Sequence, residues 1–335
     1  MPLIFDVAIE CWPLAEPFVI SRGTKTEAKV VVVRIGDGVH TGRGECVPYA
    51  RYNETPEATA DTIRAYAADA RLHALTPAEI RRDALEHLPP SAARNAIDCA
   101  LWDLEAKASG RTVASLVGLG GTPAKPVLTA YTISLDTPDT MAAKAAAVTH
   151  LPLLKLKLGG AGDDARLRAV RVARPTARLI ADANEAWTGE LLQPLMAVAF
   201  ETGIEMIEQP LPAGDDDQLA VVSRAVPVCA DEAFHTRADL PRLVGRYDAV
   251  NIKLDKTGGL TAALAVMIEA RAAGLEVMVG SMVSTSLAVA PALLLAQHAR
   301  WVDLDGPLLL ARDRPGGLTI RDGMIYPAQG ILWGA

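Results

Sequence analysis

From residue 153 onward the chain repeats one pattern: a short apolar run ends in a charged side chain, and a helical stretch follows. Lys157 ends Leu-Leu-Lys-Leu-Lys, Asp182 ends Leu-Ile-Ala-Asp, Glu208 ends Met-Ile-Glu and Asp231 ends Val-Cys-Ala-Asp. Lys253 ends Val-Asn-Ile-Lys, and Asp303 with Asp305 ends Trp-Val-Asp-Leu-Asp. The charges recur at about the length of a strand-helix unit, as a parallel barrel requires. Such a barrel gathers the ends of its strands around one cavity, so these charges should meet there.

Eight strand candidates follow from this pattern: 127–134, 153–158, 178–183, 205–208, 228–231, 249–254, 276–279 and 301–303. With helical spacing between most of them, the expected fold is α/β, a (β/α)8-type, TIM-like barrel or one modified in its first or last unit. Residues 1–120 differ in character. The β-branched run Val30–Ile35 stops at Gly36-Asp37-Gly38 and has a strand candidate before it, so an antiparallel sheet opens the chain. Helical periods over 55–70 and 91–109, the second stopped by Gly110, make this an α+β domain of its own that caps the barrel. The boundary is expected at Gly118 to Pro123, the barrel over 121–311, and 312–335 as a tail returning to the first domain.

The formal net charge of -7 carries no long basic run, which argues against nucleic acid as a partner. The Arg-rich stretch 164–178 mixes signs at helical spacing and reads as a solvated helix face. The four cysteines lack metal-knuckle or disulfide-framework spacing and read as reduced, buried thiols, and the histidines show no metal-ligand spacing. The apolar helix around 287–296 is too short to span a bilayer, so no membrane association is expected and the cytoplasm is the default location. Gly258-Gly259 is followed by no Gly-Lys-Ser/Thr and reads as a helix-start turn.

Strand alternation puts Lys155 and Lys157 on one face and Leu154, Leu156 and Leu158 on the other. By the same period Asp182 joins Asn184, Lys253 joins Asn251 and Asp255, and Asp303 joins Asp305, all lining the barrel mouth. Lys157 and Lys253 come from strands half a ring apart and so face each other. Asp182, Glu208 and Asp231 lie on the arc between them and form an oxygen-only set suited to Mg²⁺. Two lysines on opposite faces of one carbon suit removal of a proton from one side and its return from the other, which inverts a stereocentre. Mg²⁺ on the adjacent carboxylate would stabilise the ene-diolate. Lys155 beside Lys157 supports the chemistry by like-charge repulsion, lowering the pKa of the base.

Taken singly, a Lys-x-Lys, an Asp-x-Asp or a Glu-Gln-Pro carries little weight. Their order together resembles the enolase superfamily, in its muconate-lactonising-enzyme-like subgroup, over essentially the whole chain. The motifs are Lys155-Leu-Lys157, Asp182-Ala-Asn184, Glu208-Gln-Pro210, Ala230-Asp231-Glu232, Asn251-Ile-Lys253-Leu-Asp255 and Asp303-Leu-Asp305. Within it the match is similar to the dipeptide epimerases. The resemblance implies Asp182, Glu208 and Asp231 as Mg²⁺ ligands, Lys157 and Lys253 as acid/base pair, and interconversion of L-Ala-D-Glu and L-Ala-L-Glu in murein peptide recycling. It also implies capping loops at 20–24 and 46–52, Asp303 and Asp305 on the substrate ammonium, and Arg22 on the glutamate side chain. Thr132, Asp255 and Ser281 complete the expected substrate-binding set. Many relatives carry Cys where this chain has Ser281, so its dipeptide range is open.

Two other readings compete. Muconate cycloisomerisation or o-succinylbenzoate synthesis uses the same barrel, but those substrates lack an ammonium and the Asp303–Asp305 pair would repel them. A non-catalytic peptide-binding barrel would be favoured by loss of a lysine or ligand, and none is lost. A homo-oligomer is common for such barrels, and no sequence feature decides it.

Overall fold

A computed structural model describes residues 3–120, 124–327 and 332–334. The chain opens with an antiparallel sheet of β1 (Ile4–Ile20), β2 (Gly23–Gly36) and β3 (Thr41–Cys46). Val30, Val31, Val32, Val33 and Ile35 are all fully buried because both faces of β2 are covered. Val31, Val33 and Ile35 pack on helices of this domain, while Val30 and Val32 join the core shared with the barrel. The helices are α1 (Pro56–Ala67), α2 (Pro77–His87), α3 (Ala92–Ser109) and the short α4 (Val113–Leu116). Ser91 caps α3 and Gly110 ends it in the left-handed region, φ 65°. The helix lies so close to β3 that a Cβ at Gly42 or Gly44 would run into the backbone of Ala100 or Ala96.

The second unit is an eight-stranded parallel sheet curled into a barrel. The expected first strand divides: β4 (Val127–Leu128) pairs with a C-terminal hairpin, and only β5 (Tyr131–Ile133) enters the barrel. The ring continues through α5 (Pro138–Ala147), β6 (Leu153–Lys157), α6 (Asp163–Ala173), β7 (Arg178–Asp182), α7 (Gly189–Glu201), β8 (Ile204–Glu208) and β9 (Val228–Ala230). It is completed by α8 (Leu240–Leu243), β10 (Ala249–Ile252), α9 (Leu254–Thr257), α10 (Leu260–Ala272), β11 (Glu276–Gly280), α11 (Ser286–Ala296), β12 (Trp301–Asp303) and α12 (Gly306–Leu309). The sheet order runs unbroken from β12 to β5. The seam is closed by Ala130 N donating to Val302 O and by Leu304 N donating to Thr129 Oγ1, both at 2.8 Å. Between β8 and β9 a 3-10 turn, Asp217–Ala220, replaces the helix. Buried Asp216 anchors it by accepting from Arg242, Arg246 and the Tyr247 hydroxyl.

The hairpin of β13 (Ile320–Arg321) and β14 (Met324–Ile325) covers the end of the barrel at β4. Beyond it, Trp333 Nε1 donates to Cys99 O at 2.9 Å and Gly334 N to Asp103 Oδ1 at 2.8 Å, on α3 of the first domain. The expected boundary at 118–123 falls partly on residues outside those described.

Two smaller expectations need correction. Cys46, Cys99 and Cys229 are buried, but Cys11 is exposed because β1 is an edge strand with outward-facing positions. Arg171 and Arg174 do not form a solvated face. Arg174 is buried against the carbonyls of Ala145, Val148 and Leu151, and Arg171 donates to Ala177 O and Thr202 O, so both tie helix ends to neighbouring loops.

Candidate active site

The barrel interior is built in layers, and the site is the second of them. Ala130, Leu153, Ile180, Met206, Cys229, Ala249, Met278 and Trp301, one at each strand of the ring, form an apolar plug. Two residues further along each strand the side chain returns to the interior. That step reaches Thr132, Lys155, Asp182, Glu208, Asp231, Asn251, Gly280 and Asp303. All but Gly280 are polar or charged, and Lys155, Asp182, Glu208, Asp231 and Asn251 are at most 2% exposed. Gly280 has no room for more: a Cβ there would sit 2.7 Å from Asn251 Oδ1. One further step brings in Lys157, Asn184, Lys253, Met282 and Asp305 at the mouth.

Ion pairs knit this layer. Lys155 Nζ lies 2.6 Å from Asp303 Oδ2, 2.6 Å from Glu208 Oε2 and 3.1 Å from Asp182 Oδ2. Lys157 Nζ is 2.6 Å from Asp182 Oδ2, and Lys253 Nζ is 2.7 Å from Asp231 Oδ2. Asn251 Nδ2 donates to Glu208 Oε1 at 2.7 Å. Burial would lift the Asp182 and Asp231 carboxyls, yet their lysine neighbours outweigh it and hold both below the usual carboxylate range. Burial also opposes the charge on Lys155 and Lys253, but the carboxylates around them raise both amines. Lys155 therefore serves as the counter-ion of three carboxylates, a role that the expectation of a simple charge neighbour for Lys157 did not contain. Glu208 is undercompensated: burial first and Asp182 next push it above its ordinary value. Asp305 is likewise pushed up to about 7 by burial and by Asp303, while its Oδ2 accepts from Thr132 N at 2.7 Å.

Among the described residues no three carboxylate, imidazole or thiol groups are drawn together as they stand at metal-ligand spacing, because ammonium groups lie between them. The chemistry of the set nevertheless fits a hard cation. Asp182 and Glu208 are register partners on adjacent strands, and Asp231 lies one residue past β9. Around them Asn184 Oδ1 and Glu232 Oε2 are buried acceptors with no hydrogen-bond donor. The raised Glu208 carboxyl marks a deficit of positive charge at the same place.

The cavity above this floor measures about 480 Å³. Lys155, Lys157, Lys253, Asp231, Asp303, Asp305, Thr132 and Ser281 line it together with Arg22, as expected. Asp255 does not. The strand ends at Ile252 and α9 begins at Leu254, so alternation no longer applies and the Asp255 carboxylate turns to the first domain. There its Oδ1 accepts from Asn95 Nδ2 at 2.8 Å and Val47 N at 3.1 Å. The same helical turn brings Lys256 back to Asp231, a contact that strand reasoning missed and that Gly258-Gly259 close behind could have signalled. Gln209 was also passed over. Its Oε1 accepts from Asp231 N and Ala233 N at 2.9 and 3.0 Å, fixing the chain after β9. Asn184, Glu185 and Gln209 all have positive φ, so the backbone is strained beside Asp182 and Glu208.

The first domain supplies the roof. Phe18, Ile20, Tyr49 and Tyr52 give apolar walls, and Arg22 spans to the barrel. Its Nη1 donates to Asn184 O at 2.8 Å and Glu185 Oε2 at 3.1 Å, and its Nη2 to Glu232 Oε1 at 2.5 Å and the Tyr49 hydroxyl at 3.2 Å. Arg51 holds Glu185 from the other side through two bonds of 3.0 Å.

Comparison with known proteins agrees with this arrangement. Residues 5–118 match the mandelate racemase / muconate lactonizing enzyme N-terminal domain, and residues 140–331 match the enolase C-terminal domain-like family. The chain is 44% identical over 319 residues to an L-Ala-D/L-Glu epimerase of Escherichia coli strain K12, covering 95% of this chain and 97% of that one. It is equally 44% identical over 305 residues to an N-acetyl-D-glutamate racemase of Pseudoalteromonas sp., covering 91% and 95%. A crystal structure of an enolase family member from Agrobacterium tumefaciens with homology to dipeptide epimerases, with bound sodium and L-Ala-L-Glu, superposes with a TM-score of 0.95. That protein is 52% identical, and the match covers 99% of this chain and 100% of that one.

Proposed function

The chain belongs to the mandelate racemase/muconate lactonizing enzyme branch of the enolase superfamily and is an isomerase of amino-acid derivatives, and on that premise we propose that it interconverts L-Ala-L-Glu and L-Ala-D-Glu. One observation carries the reading: Lys157 and Lys253, from strands half a ring apart, line the same closed-floored cavity. A substrate α-carbon between them has one amine on each face. The neutral amine takes the α-proton, the opposite ammonium returns a proton to the other face, and the configuration inverts. Asp182 and Asp231 hold the two Nζ atoms in place through bonds of 2.6 and 2.7 Å.

Asp182, Glu208 and Asp231 would hold Mg²⁺. Bound there, the cation would neutralise charge developing on the substrate carboxylate, which makes the α-proton acidic enough for an amine. Asp303 Oδ1 is a buried acceptor without a donor at the side of the cavity, which suits the substrate ammonium. Arg22, Thr132 and Ser281 line the remaining wall. Residues 1–120 act as the cap that shields the reaction from water, with Trp333 and Gly334 of the C-terminal segment fastened back on it. The setting we infer is murein peptide recycling in the cytoplasm.

N-Acetylglutamate racemisation is the second reading, favoured by the Pseudoalteromonas relative. The orphaned Asp303 oxygen argues against it, because an N-acyl group brings no ammonium to satisfy that acceptor. Proton NMR of L-Ala-L-Glu and of N-acetyl-L-glutamate in D₂O with Mg²⁺ decides between them. Loss of the glutamate α-proton and appearance of the second diastereomer are expected with the dipeptide. Turnover of N-acetylglutamate alone would replace this assignment, and silence with both would remove the substrate class.

A further inference from the structure

Resting on the dipeptide reading above, we propose that Lys25, rather than Arg22, supplies the free positive charge that selects an acidic second residue. Arg22 has little left to offer a ligand. A guanidinium carries five N–H groups, and four of those of Arg22 are already donated to Asn184 O, Glu185, Glu232 and Tyr49. Its charge is shared with two protein carboxylates, one of which also holds Arg51. Arg22, Arg51 and Lys25 bring three positive charges to this part of the mouth, Glu185 and Glu232 two negative ones, and the surplus cation is Lys25.

Lys25 lies three residues beyond Arg22 on the same hairpin and lines the same cavity as the two mouth lysines. Among the described residues its ammonium has no carboxylate partner. Its Nζ rests 4.7 Å from the centroid of the Tyr49 ring, and that ring is itself fixed by the Arg22 contact through its hydroxyl. A cation resting on an aromatic face at the rim of a closed-floored cavity can take a carboxylate without first breaking an ion pair. Any acidic side chain that extends from the reacting carbon toward the first domain would meet this group. Arg22 then acts as a positioning residue that joins the hairpin to the loops after β7 and β9.

The test compares L-Ala-L-Glu with its neutral near-isostere L-Ala-L-Gln, by kcat and KM in Mg²⁺-loaded enzyme and by calorimetric binding of each dipeptide. The ratio of kcat/KM for Glu over Gln is expected to fall about ten- to a hundredfold in Lys25→Met, carried by KM, and to be retained in Lys25→Arg. The calorimetric affinity ratio should fall in parallel. A proportional loss on both dipeptides in Lys25→Met, or no loss, overturns the assignment. Equal use of Glu and Gln by the wild type overturns it while leaving the epimerase reading intact. A wild type that epimerises neither dipeptide sinks both.

Discussion

Lys256 donates from one ammonium to both the carbonyl and Oδ1 of Asp231, at 2.7 and 2.6 Å, so this buried lysine fixes the main chain and the side chain of one acidic residue together. Lys253 holds the other oxygen of the same carboxylate. Lys256→Met keeps the volume of the side chain but leaves Asp231 Oδ1 without a donor and its carbonyl with Phe234 N alone. Removing one partner of a buried pair costs about 3–5 kcal/mol. Urea unfolding should show that loss, and an unchanged midpoint would mean that Lys256 contributes packing alone.

Chelation should abolish activity and leave the fold intact. Asp182, Glu208 and Asp231 already face the ammonium groups of Lys155, Lys157, Lys253 and Lys256, so all of their mutual repulsion but the residual deficit at Glu208 is met without a cation, which is enough to hold the fold. With EDTA the far-UV circular dichroism should stay native and melting should stay cooperative. Added Mg²⁺ should raise Tm, by about 3 kcal/mol of stability at a hundred times its Kd. Unfolding on chelation would show that the lysines do not carry the charge balance.

The period of two explains why so much of this site could be read from sequence. Leu153–Lys155–Lys157 and Ile180–Asp182–Asn184 each step from the apolar plug through the charged floor to the mouth, and that order is printed in the residues. The rule fails where a strand stops. Ile252 ends β10, the helix at Leu254 sends Asp255 away from the cavity, and no alternation argument could reveal it. Contacts between Arg22 and Glu185 or Glu232 span more than 160 positions and depend on how the first domain sits, so the sequence could suggest a charged loop residue but not that its N–H groups were taken. The capping box of Thr76 and Glu79 at the start of α2 was legible, as Thr-Pro-Ala-Glu, and was passed over.

Asp255 makes stability depend on pH in an unusual direction for a carboxyl group. Burial pushes it up to about 7, against about 3.9 in an unfolded chain. Between those values the native state keeps the proton that the unfolded chain releases, so this contribution is complete below about pH 4 and is lost as pH rises through about 7. Its size is at most about 4 kcal/mol. Asp255→Asn stays neutral throughout and its Oδ1 can still accept from Val47 N. The stability of wild type minus variant, from urea unfolding at pH 4, 5.5, 7 and 8, should therefore decline over that window. A difference independent of pH would show that Asp255 is ionised in the fold.

The two mouth lysines make a stereochemical prediction sharper than loss of rate. Each faces one side of the reacting carbon, so each should exchange the α-proton of one dipeptide epimer only. Lys157→Ala and Lys253→Ala should both lower epimerisation by about a hundredfold or more. In D₂O, however, one variant should still wash deuterium into L-Ala-L-Glu and the other into L-Ala-D-Glu, each without forming the opposite diastereomer. The residual exchange identifies which amine stands on which face. Their surroundings differ, since among the described residues Lys157 pairs with Asp182 alone while Lys253 lies 2.7 Å from Asp231 and 3.9 Å from Glu208, so the two residual rates need not match. If either variant exchanged both epimers, a single amine would serve both faces and the opposed arrangement across the barrel would not be the source of inversion.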